Sequence, residues 1–210
     1  MTHIITDITI TKKGRYALFL DGEFAFSVDE QTLFEYHLQN TKEIQTELME
    51  EIQYTSDLRY AKEMAFNLLS YKSYTTKDLQ KKLVRYVSSE VAEDAIQKMV
   101  ELSLVDDLDY AMRYSRDLFR IKKYSLSKIR SELKKKGIEE DYIEEALCQF
   151  EEESAEKQIS DIILKKYSNK LGDEKGLRST VNGLLRRGYN YSDIRTVINN
   201  LDEDMEYYNY

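Results

Sequence analysis

Residues 104–138 read LVDDLDYAMRYSRDLFRIKKYSLSKIRSELKKKGI, and the rest of the chain can be understood from this stretch. Its pattern predicts two amphipathic helices joined by a short polar turn. Apolar side chains in each helix recur at spacings of three and four residues, which places them on one face. They are Ala111, Tyr114, Leu118 and Ile121 in the first helix and Leu126, Ile129 and Leu133 in the second.

Cations in the first helix follow the same spacing, displaced by two residues: Arg113, Arg116, Arg120 and Lys123. Two residues correspond to about 200° around a helix with 3.6 residues per turn, so the cations lie opposite the apolar row. The turn and the second helix add Lys122, Lys128, Arg130, Lys134, Lys135 and Lys136. We therefore predict one face that packs into a core and one face that binds an anionic partner.

The charge of the chain is unevenly distributed. The formal net charge of the 210 residues is −8, which argues against a protein that coats nucleic acid by bulk charge. Residues 113–136 carry only Asp117 and Glu132 as acids, whereas residues 139–156 are strongly acidic. Two interpretations follow. Either the cations form a binding surface, or the acidic segment folds back and neutralises them.

Residue types that support catalysis or metal binding are scarce. The single cysteine, Cys148, excludes an intramolecular disulfide and fits a reducing cytoplasm, and its place on an apolar stripe predicts burial. Asp106, Asp107 and Asp109 begin a helix, where capping explains them better than a metal site. There is no phosphate-binding glycine motif, membrane-length apolar run or signal peptide. We predict a cytoplasmic monomer that is not an enzyme and has no catalytic residue, metal or cofactor.

The first 55 residues differ in character from the rest. Segments 4–11, 16–20 and 23–28 are rich in β-branched and aromatic residues, and Asp21-Gly22 predicts a tight hairpin turn. We predict a small antiparallel sheet of two or three strands that packs on helices. Those helices are predicted over 29–38 and 41–54, with Thr41 as the N-cap of the second.

From about residue 57 the chain repeats itself with a period of about 50 residues, which is typical of helical arrays. The third helices of the repeats align best, each with apolar residues at i, i+3, i+4 and i+7. These sets are Ala92, Ala95, Ile96 and Met99, then Ile143, Ala146, Leu147 and Phe150, then Ile194, Val197, Ile198 and Leu201. Glycines at 137 and 188 fit the ends of the second helices in the later two copies.

The predicted fold class is mainly α. Three tandem three-helix repeats form an elongated, curved array, preceded by a small antiparallel β-hairpin or sheet with helices. The predicted boundaries are 1–55 for the N-terminal extension, 56–105, 106–153 and 154–204 for the repeats, and 205–210 for a frayed tail.

Cations also occupy second-helix positions in the other two repeats: Lys81, Lys82 and Arg85 in the first, and Arg186 and Arg187 in the third. They either extend one basic track or compensate the negative ends of their helices. The outer face of the first repeat's leading helix differs from its counterpart in the second. It carries Tyr60, Glu63, Phe66 and Asn67 instead of the cationic row.

The order and spacing of several segments resemble the RecX family of recombination regulators. The segments are 67–84 (NLLSYKSYTTKDLQKKLV), 102–117 (LSLVDDLDYAMRYSRD), 126–138 (LSKIRSELKKKGI), 179–194 (STVNGLLRRGYNYSDI) and the DGEFAF of 21–26. The resemblance implies a non-enzymatic protein of DNA recombination, repair and the SOS response. It implies binding in the helical groove of the RecA filament and inhibition of recombinase, ATPase and linked coprotease activities. Some members also contact DNA.

Two alternatives remain beside a RecA regulator. One is a protein that binds single- or double-stranded DNA directly through the basic face, with an affinity that falls steeply with salt. The other is a helical-repeat scaffold for a different partner.

Overall fold

The computed structural model describes residues 1–150, 154–167 and 173–207, with side chains as far as Leu201. The chain divides into two compact units, Met1–Val105 and Asp106–Tyr210. The first unit contains β1 (Thr2–Ile10), β2 (Tyr16–Leu20), β3 (Glu23–Val28), α1 (Glu30–Glu35), β4 (Glu43–Gln45), α2 (Thr46–Tyr71), α3 (Thr76–Leu83) and α4 (Ser89–Glu101). The second contains α5 (Asp107–Arg120), α6 (Leu126–Lys136), α7 (Glu140–Cys148), α8 (Ala155–Lys166), α9 (Glu174–Leu185) and α10 (Tyr191–Tyr207).

The four strands form one antiparallel sheet in the order β3-β2-β1-β4. The predicted hairpin at Asp21-Gly22 is confirmed, since β2 and β3 pair on either side of these two residues, both of which have positive φ. The inner side of the sheet buries apolar residues that β-branching and alternation favour in strands. They are Ile5, Leu18, Leu20, Phe26, Val28 and Ile44.

The helix predicted over 41–54 begins later than expected. Thr41 is not an N-cap, because it has a left-handed φ of 67° and its N–H donates to the carbonyl of Ile5. Residues Glu43–Gln45 instead pair with the edge of β1, where Ile44 lies opposite His3. Burial of Ile44 in the sheet core and the backbone pairing outweigh the helical spacing of this short segment.

Helix α2 then runs for 26 residues from Thr46 to Tyr71. Its sequence contains no glycine or proline that would interrupt it. Its first half places Ile52 in the core under the sheet, and its second half places Ala61 and Ala65 in the core shared with α3 and α4. That second core also contains the predicted α4 stripe of Ala92, Ala95, Ile96 and Met99.

Buried Ser56 ties the sheet and α1 to α2. Its hydroxyl accepts from the N–H of Asp29 at 3.0 Å and from the guanidinium of Arg15 at 3.0 Å, and it donates to Asp29 Oδ2 at 2.9 Å. Asp29 also caps α1 by accepting from Thr32 N–H at 2.9 Å. One buried hydroxyl therefore connects the turn between β1 and β2, the start of α1 and the middle of α2. These contacts fix the sheet on α2.

In the second unit, α5, α6 and α7 share a core in which Ala111, Leu118, Ile129, Leu133 and Ile143 are buried. The apolar stripe predicted for the third helix of this repeat, Ile143, Ala146, Leu147 and Phe150, is confirmed, since all four residues are buried. Phe150 stacks on Phe119 with ring centroids 4.3 Å apart. The remaining helices enclose a separate core formed by Ile159, Ile162, Ile163, Leu184, Tyr189, Ile194, Val197 and Ile198.

Two predicted core residues are exposed. Ile121 is 70% exposed because α5 ends at Arg120, so the face of the helix no longer extends to it, and Phe119 fills the core instead. Cys148 is also exposed. The buried stripe of α7 consists of Ile143, Ala146 and Leu147, and the residue after Leu147 turns about 100° away from that stripe.

Helix ends follow the predicted chemistry. Asp106 caps α5 by accepting from Asp109 N–H at 2.8 Å, which confirms the capping explanation for Asp106. Gly137 ends α6 in the left-handed conformation. At the other end of the chain, α10 continues to Tyr207, past residue 205 where the tail was predicted to begin, and residues 208–210 lie outside the described part. Among the described helices, none is both long and apolar enough to cross a membrane.

Candidate functional site: a cationic surface on the second unit

Helix α5 presents its arginines to solvent on the side away from its core. Arg113, Arg116 and Arg120 are exposed, while Ala111, Ser115 and Leu118 are buried. The helix is therefore amphipathic, as the spacing of its residues predicts. The arginines, three and four residues apart, form one cationic row on the exposed side.

The three arginines differ in how far their charge is compensated. The Arg113 guanidinium lies 2.6 Å from the carboxylate of Asp109, one turn earlier. Arg116 Nε donates at 3.3 Å to Oε1 of Gln149, an uncharged amide that leaves the positive charge in place. Arg120 has no ion-pair partner within the part of the chain that the structure describes. The uncompensated charge of the row is thus concentrated at the end of α5.

The turn after α5 continues this positive region. Lys122 is exposed, and Lys123 is half-buried with a left-handed φ of 56°. The Tyr189 hydroxyl lies 3.2 Å from the carbonyl of Lys123 and also contacts Oε1 of Gln158, so its one proton is shared between two acceptors. These contacts place the turn against the loop between α9 and α10. Burial raises the pKa of Tyr189 above its ordinary value.

Three further hydrogen bonds join the same two loops. Ser125 N–H donates to the carbonyl of Arg187 at 3.0 Å. The hydroxyls of Ser125 and Ser127 both donate to the carbonyl of Gly188, at 2.7 and 3.2 Å. Gly188 has a φ of 89°, and an added Cβ would lie 2.6 Å from Lys128 Cβ and from Ser125 Oγ. Only glycine fits this close approach without displacing the neighbouring helix.

This junction joins the turn after α5 to the loop after α9, and the latter carries the cations of the third repeat. Arg186 is exposed, and Arg187 donates to the carbonyl of Gly183 at 2.8 Å. We define the cationic surface as the cations at the end of α5 and in the two joined loops, except Arg187, whose guanidinium donates to the carbonyl of Gly183. Its members are Arg116, Arg120, Lys122, Lys123 and Arg186. The junction itself was not predicted, because Ser125 and Tyr189 are 64 residues apart and no local pattern links them.

The acidic segment pairs with two of the α6 cations, Arg130 and Lys134, as the second interpretation expected. Arg130 pairs with Glu140 at 2.6 Å and with Glu144, and Lys134 pairs with Glu140 at 2.9 Å. Lys128 and Lys135 both pair with Glu132, at 3.4 and 2.8 Å. Hydrogen bonds from Lys134 to Glu140 and from Arg130 to Glu144 hold the pKa values of these carboxyls below their ordinary range. Lys136, in the same last turn, is half-buried.

The first-repeat cations lie in the first unit, at and just after the end of α3. Lys81 pairs with Asp78 at 3.4 Å, three residues earlier in the same helix. Lys82 and Arg85 are exposed, and within the described residues neither forms an ion pair. Their exposed position at a helix end is compatible with both explanations, dipole compensation and a basic track.

Removal of the carboxylates that neutralise α6 provides a direct check of this charge pattern. Glu140→Gln with Glu144→Gln releases Arg130 and Lys134, so we expect tighter binding to a single-stranded oligonucleotide. The log–log dependence on salt should steepen by about 1.4 if both cations then contact phosphates. Fluorescence anisotropy at several salt concentrations measures both quantities. Glu47→Gln with Glu50→Gln on exposed positions of α2 gives the same change in net charge as a control. An unchanged slope in the first variant would show that α6 stays masked.

Three parts of the chain match models of known domains. Residues 3–45 match a model described as the regulatory protein RecX N-terminal domain. Residues 61–99 match the first three-helix domain of RecX, and residues 106–147 match the second. The N-terminal match covers the four strands except Thr2. The second match covers the later part of α2, all of α3 and most of α4, and the third covers α5, α6 and α7 as far as Leu147.

Whole-chain relatives give the same result. The chain is 30% identical over 185 residues to the regulatory protein RecX of Limosilactobacillus reuteri, covering 86% of this chain and 70% of that protein. It is 34% identical over 152 residues to RecX of Lactobacillus gasseri, covering 71% of this chain and 56% of the relative. The chain thus spans between half and four fifths of the length of these curated relatives.

Solved structures show the same similarity in three dimensions. A crystal structure of a regulatory protein RecX superposes with a TM-score of 0.62 at 29% identity, covering 93% of this chain and 98% of the other. The crystal structure of RecX from Lactobacillus salivarius gives a TM-score of 0.60 at 26% identity over 70% of this chain and 98% of the other.

Proposed function

We propose, because this chain belongs to the RecX family, that it is a regulatory protein that binds the RecA nucleoprotein filament. In this proposal it occupies the helical groove of the filament and inhibits the recombinase, ATPase and linked coprotease activities. It acts by occupying a surface and not by catalysing a reaction, as a cytoplasmic monomer without a cofactor. We infer the partner, RecA, from membership of the family. The cationic surface is the observation that supports the proposed mode of binding.

The cationic surface suits a partner that combines protein and DNA. Arg116, Arg120 and Lys122 carry positive charge that no acid among the described residues compensates, although the whole chain is acidic. Exposed guanidinium and ammonium groups form charge-assisted hydrogen bonds with carboxylates and with phosphates. Local positive charge on a negative protein favours contact with an anionic site while the rest of the surface limits indiscriminate binding.

An ATPase assay tests the proposed function directly. Substoichiometric amounts of the protein should slow single-strand-dependent ATP hydrolysis by RecA, because one bound molecule in the groove blocks turnover of several neighbouring subunits. Hydrolysis is followed with a coupled assay, and an equal mass of an unrelated acidic protein serves as the control. Normal hydrolysis at an equimolar ratio of this protein to RecA would overturn the proposal.

Direct DNA binding is the second candidate, favoured by the same uncompensated cations. It predicts a gel shift of a single-stranded oligonucleotide without RecA, with affinity that falls by a log–log slope of about 0.7 per phosphate contact. If both the RecA assay and the gel shift give no effect, a scaffold for another partner becomes the better explanation.

A further inference from the structure

An open groove of about 1310 Å³ lies on the first unit. One wall is the turn between β1 and β2, which contains Lys12 and Lys13, and another is the start of α1. The floor is the outer face of α2, where Tyr60, Asn67 and Tyr71 follow one another at helical spacing. Tyr86, from the loop between α3 and α4, closes one side.

Large apolar side chains in this groove are left open to solvent. Phe66 is 45%, Tyr86 58% and Tyr71 88% exposed. Tyr60 is held in place, since the Arg15 guanidinium lies 5.1 Å from its ring centroid and the Tyr86 ring meets it edge-on with centroids 6.5 Å apart. Aromatic residues, Met and Arg are the types that are enriched in protein–protein interfaces, and Met64 and Arg15 also line this groove.

The charges around the groove favour a polypeptide over a nucleic acid. Arg15 pairs with Asp57 at 3.6 Å and Arg59 with Asp29 at 3.9 Å, so these four charges cancel. Lys12 and Lys13 are exposed in the turn between β1 and β2 and form no ion pair with a described residue. Glu30 and Glu63 also line the groove, and they would repel the phosphates of a strand lying along it. Lys62 on α2 also lines the groove next to Glu63, so the α2 side carries both signs of charge, whereas the β1–β2 turn carries two exposed lysines.

Comparison of the repeats shows that this groove and the cationic surface use the same repeat face. Glu63 and Phe66 stand fifty residues before Arg113 and Arg116, and exposed Tyr71 stands fifty before exposed Ile121. The first copy of the face is therefore aromatic and the second is cationic. A filament built of both protein and DNA offers a partner for each kind of chemistry.

We infer that the groove binds a segment of the protein component of the filament. The segment inserts one or two bulky apolar side chains between Phe66, Tyr71 and Tyr86, and its carboxylates face Lys12 and Lys13. This inference rests on the proposed function and adds to it a second contact site, with a chemistry different from that of the cationic surface.

The test uses the full chain with Phe66→Ser and Tyr71→Ser together. Both side chains are exposed, so the fold should be kept, and a far-UV circular dichroism spectrum checks this. Affinity is measured by fluorescence anisotropy against RecA filaments assembled on a labelled oligonucleotide. We expect about tenfold weaker binding, since aromatic anchors contribute a large share of interface energy. Phe34→Ser, an exposed aromatic on α1 outside the groove, should bind as wild type.

Each other outcome has a distinct meaning. Wild-type affinity in the Phe66/Tyr71 variant would overturn the groove assignment while leaving the proposed function intact. Failure of the wild-type chain to bind filaments would overturn the proposed function, and the assignment with it. An equal loss of affinity for the free oligonucleotide would show that the occupant is nucleic acid, which also contradicts the inference.

Discussion

Replacement of Arg116, Arg120 and Lys122 by glutamate is expected to weaken inhibition of RecA by this protein about a hundredfold. These three cations lie at the end of α5 and in the following turn, and no described acid pairs with them. Each substitution removes a charge-assisted contact and adds repulsion from the partner. A combined loss of roughly 3 kcal/mol corresponds to a hundredfold higher concentration for half-inhibition of ATP hydrolysis. Arg113 is left unchanged because it already pairs with Asp109.

A matched variant separates this site from the effect of net charge. Lys157, Lys165 and Lys166 are exposed on α8, and their replacement by glutamate changes the net charge by the same amount. That variant should inhibit as wild type does. A glutamate at the C-terminal end of α5 would destabilise the helix by about 0.3–1 kcal/mol through its dipole. The variant Arg120→Gln with Lys122→Gln removes the two positive charges without adding this unfavourable interaction. Full inhibition by the triple glutamate variant would show that the cationic surface is not the binding site.

Gly188→Ala is expected to destabilise the second unit strongly. The residue has a φ of 89°, and the new Cβ would lie 2.6 Å from Lys128 Cβ and Ser125 Oγ. Strain in the left-handed conformation costs about 1 kcal/mol, and overpacking against α6 adds about 2 kcal/mol. We expect a loss of about 3 kcal/mol in the opening free energy of α6, measured by amide hydrogen exchange. Since the junction holds the turn that carries Lys122 and Lys123 against the loop after α9, inhibition should weaken as well.

Gly22→Ala provides the comparison for this second prediction. Gly22 has a φ of 91°, almost the same as Gly188, but no atom lies within 4 Å of an added Cβ. Its substitution by alanine therefore introduces the backbone strain without a steric clash. We expect the opening free energy of β2 and β3, measured by amide hydrogen exchange, to fall by about 1 kcal/mol. Equal losses at the two glycines would mean that Lys128 and Ser125 move aside, and that the junction is not rigid.

Local periodicity accounted for the features that depend on one helix or one turn. The opposed faces of α5, the Asp106 cap and the Asp21-Gly22 hairpin follow from spacing and from the backbone preferences of single residues. Helical spacing also predicts the apolar stripe of α7. Cys148 is next to Leu147 in the sequence but lies about 100° around the helix from it, so it falls outside that stripe. Ile121 was misplaced because the spacing does not reveal where the helix ends.

Features that join distant residues could not be predicted. The pairing of Glu43–Gln45 with β1 depends on which strand edge is free, and three residues are too few for a period to be recognised. Pairing of the acidic segment with Arg130 and Lys134 is one of the two interpretations that the sequence leaves open. The choice between them depends on whether Arg130 reaches Glu144 in the next helix. The loop contacts of Ser125 and Tyr189 combine backbone carbonyls with side chains, and backbone carbonyls carry no sequence signal.

The use of α2 by two cores has a consequence for how the first unit loses its structure. Its 26 residues carry Ile52 under the sheet and Ala61 and Ala65 among the three helices, with buried Ser56 between them. Because one continuous helix belongs to both cores, neither can open alone without leaving half of that helix unsupported. The N-terminal sheet is thus cooperative with the first repeat and not a detachable module. A fragment that begins inside α2 would lose the sheet and weaken the repeat together.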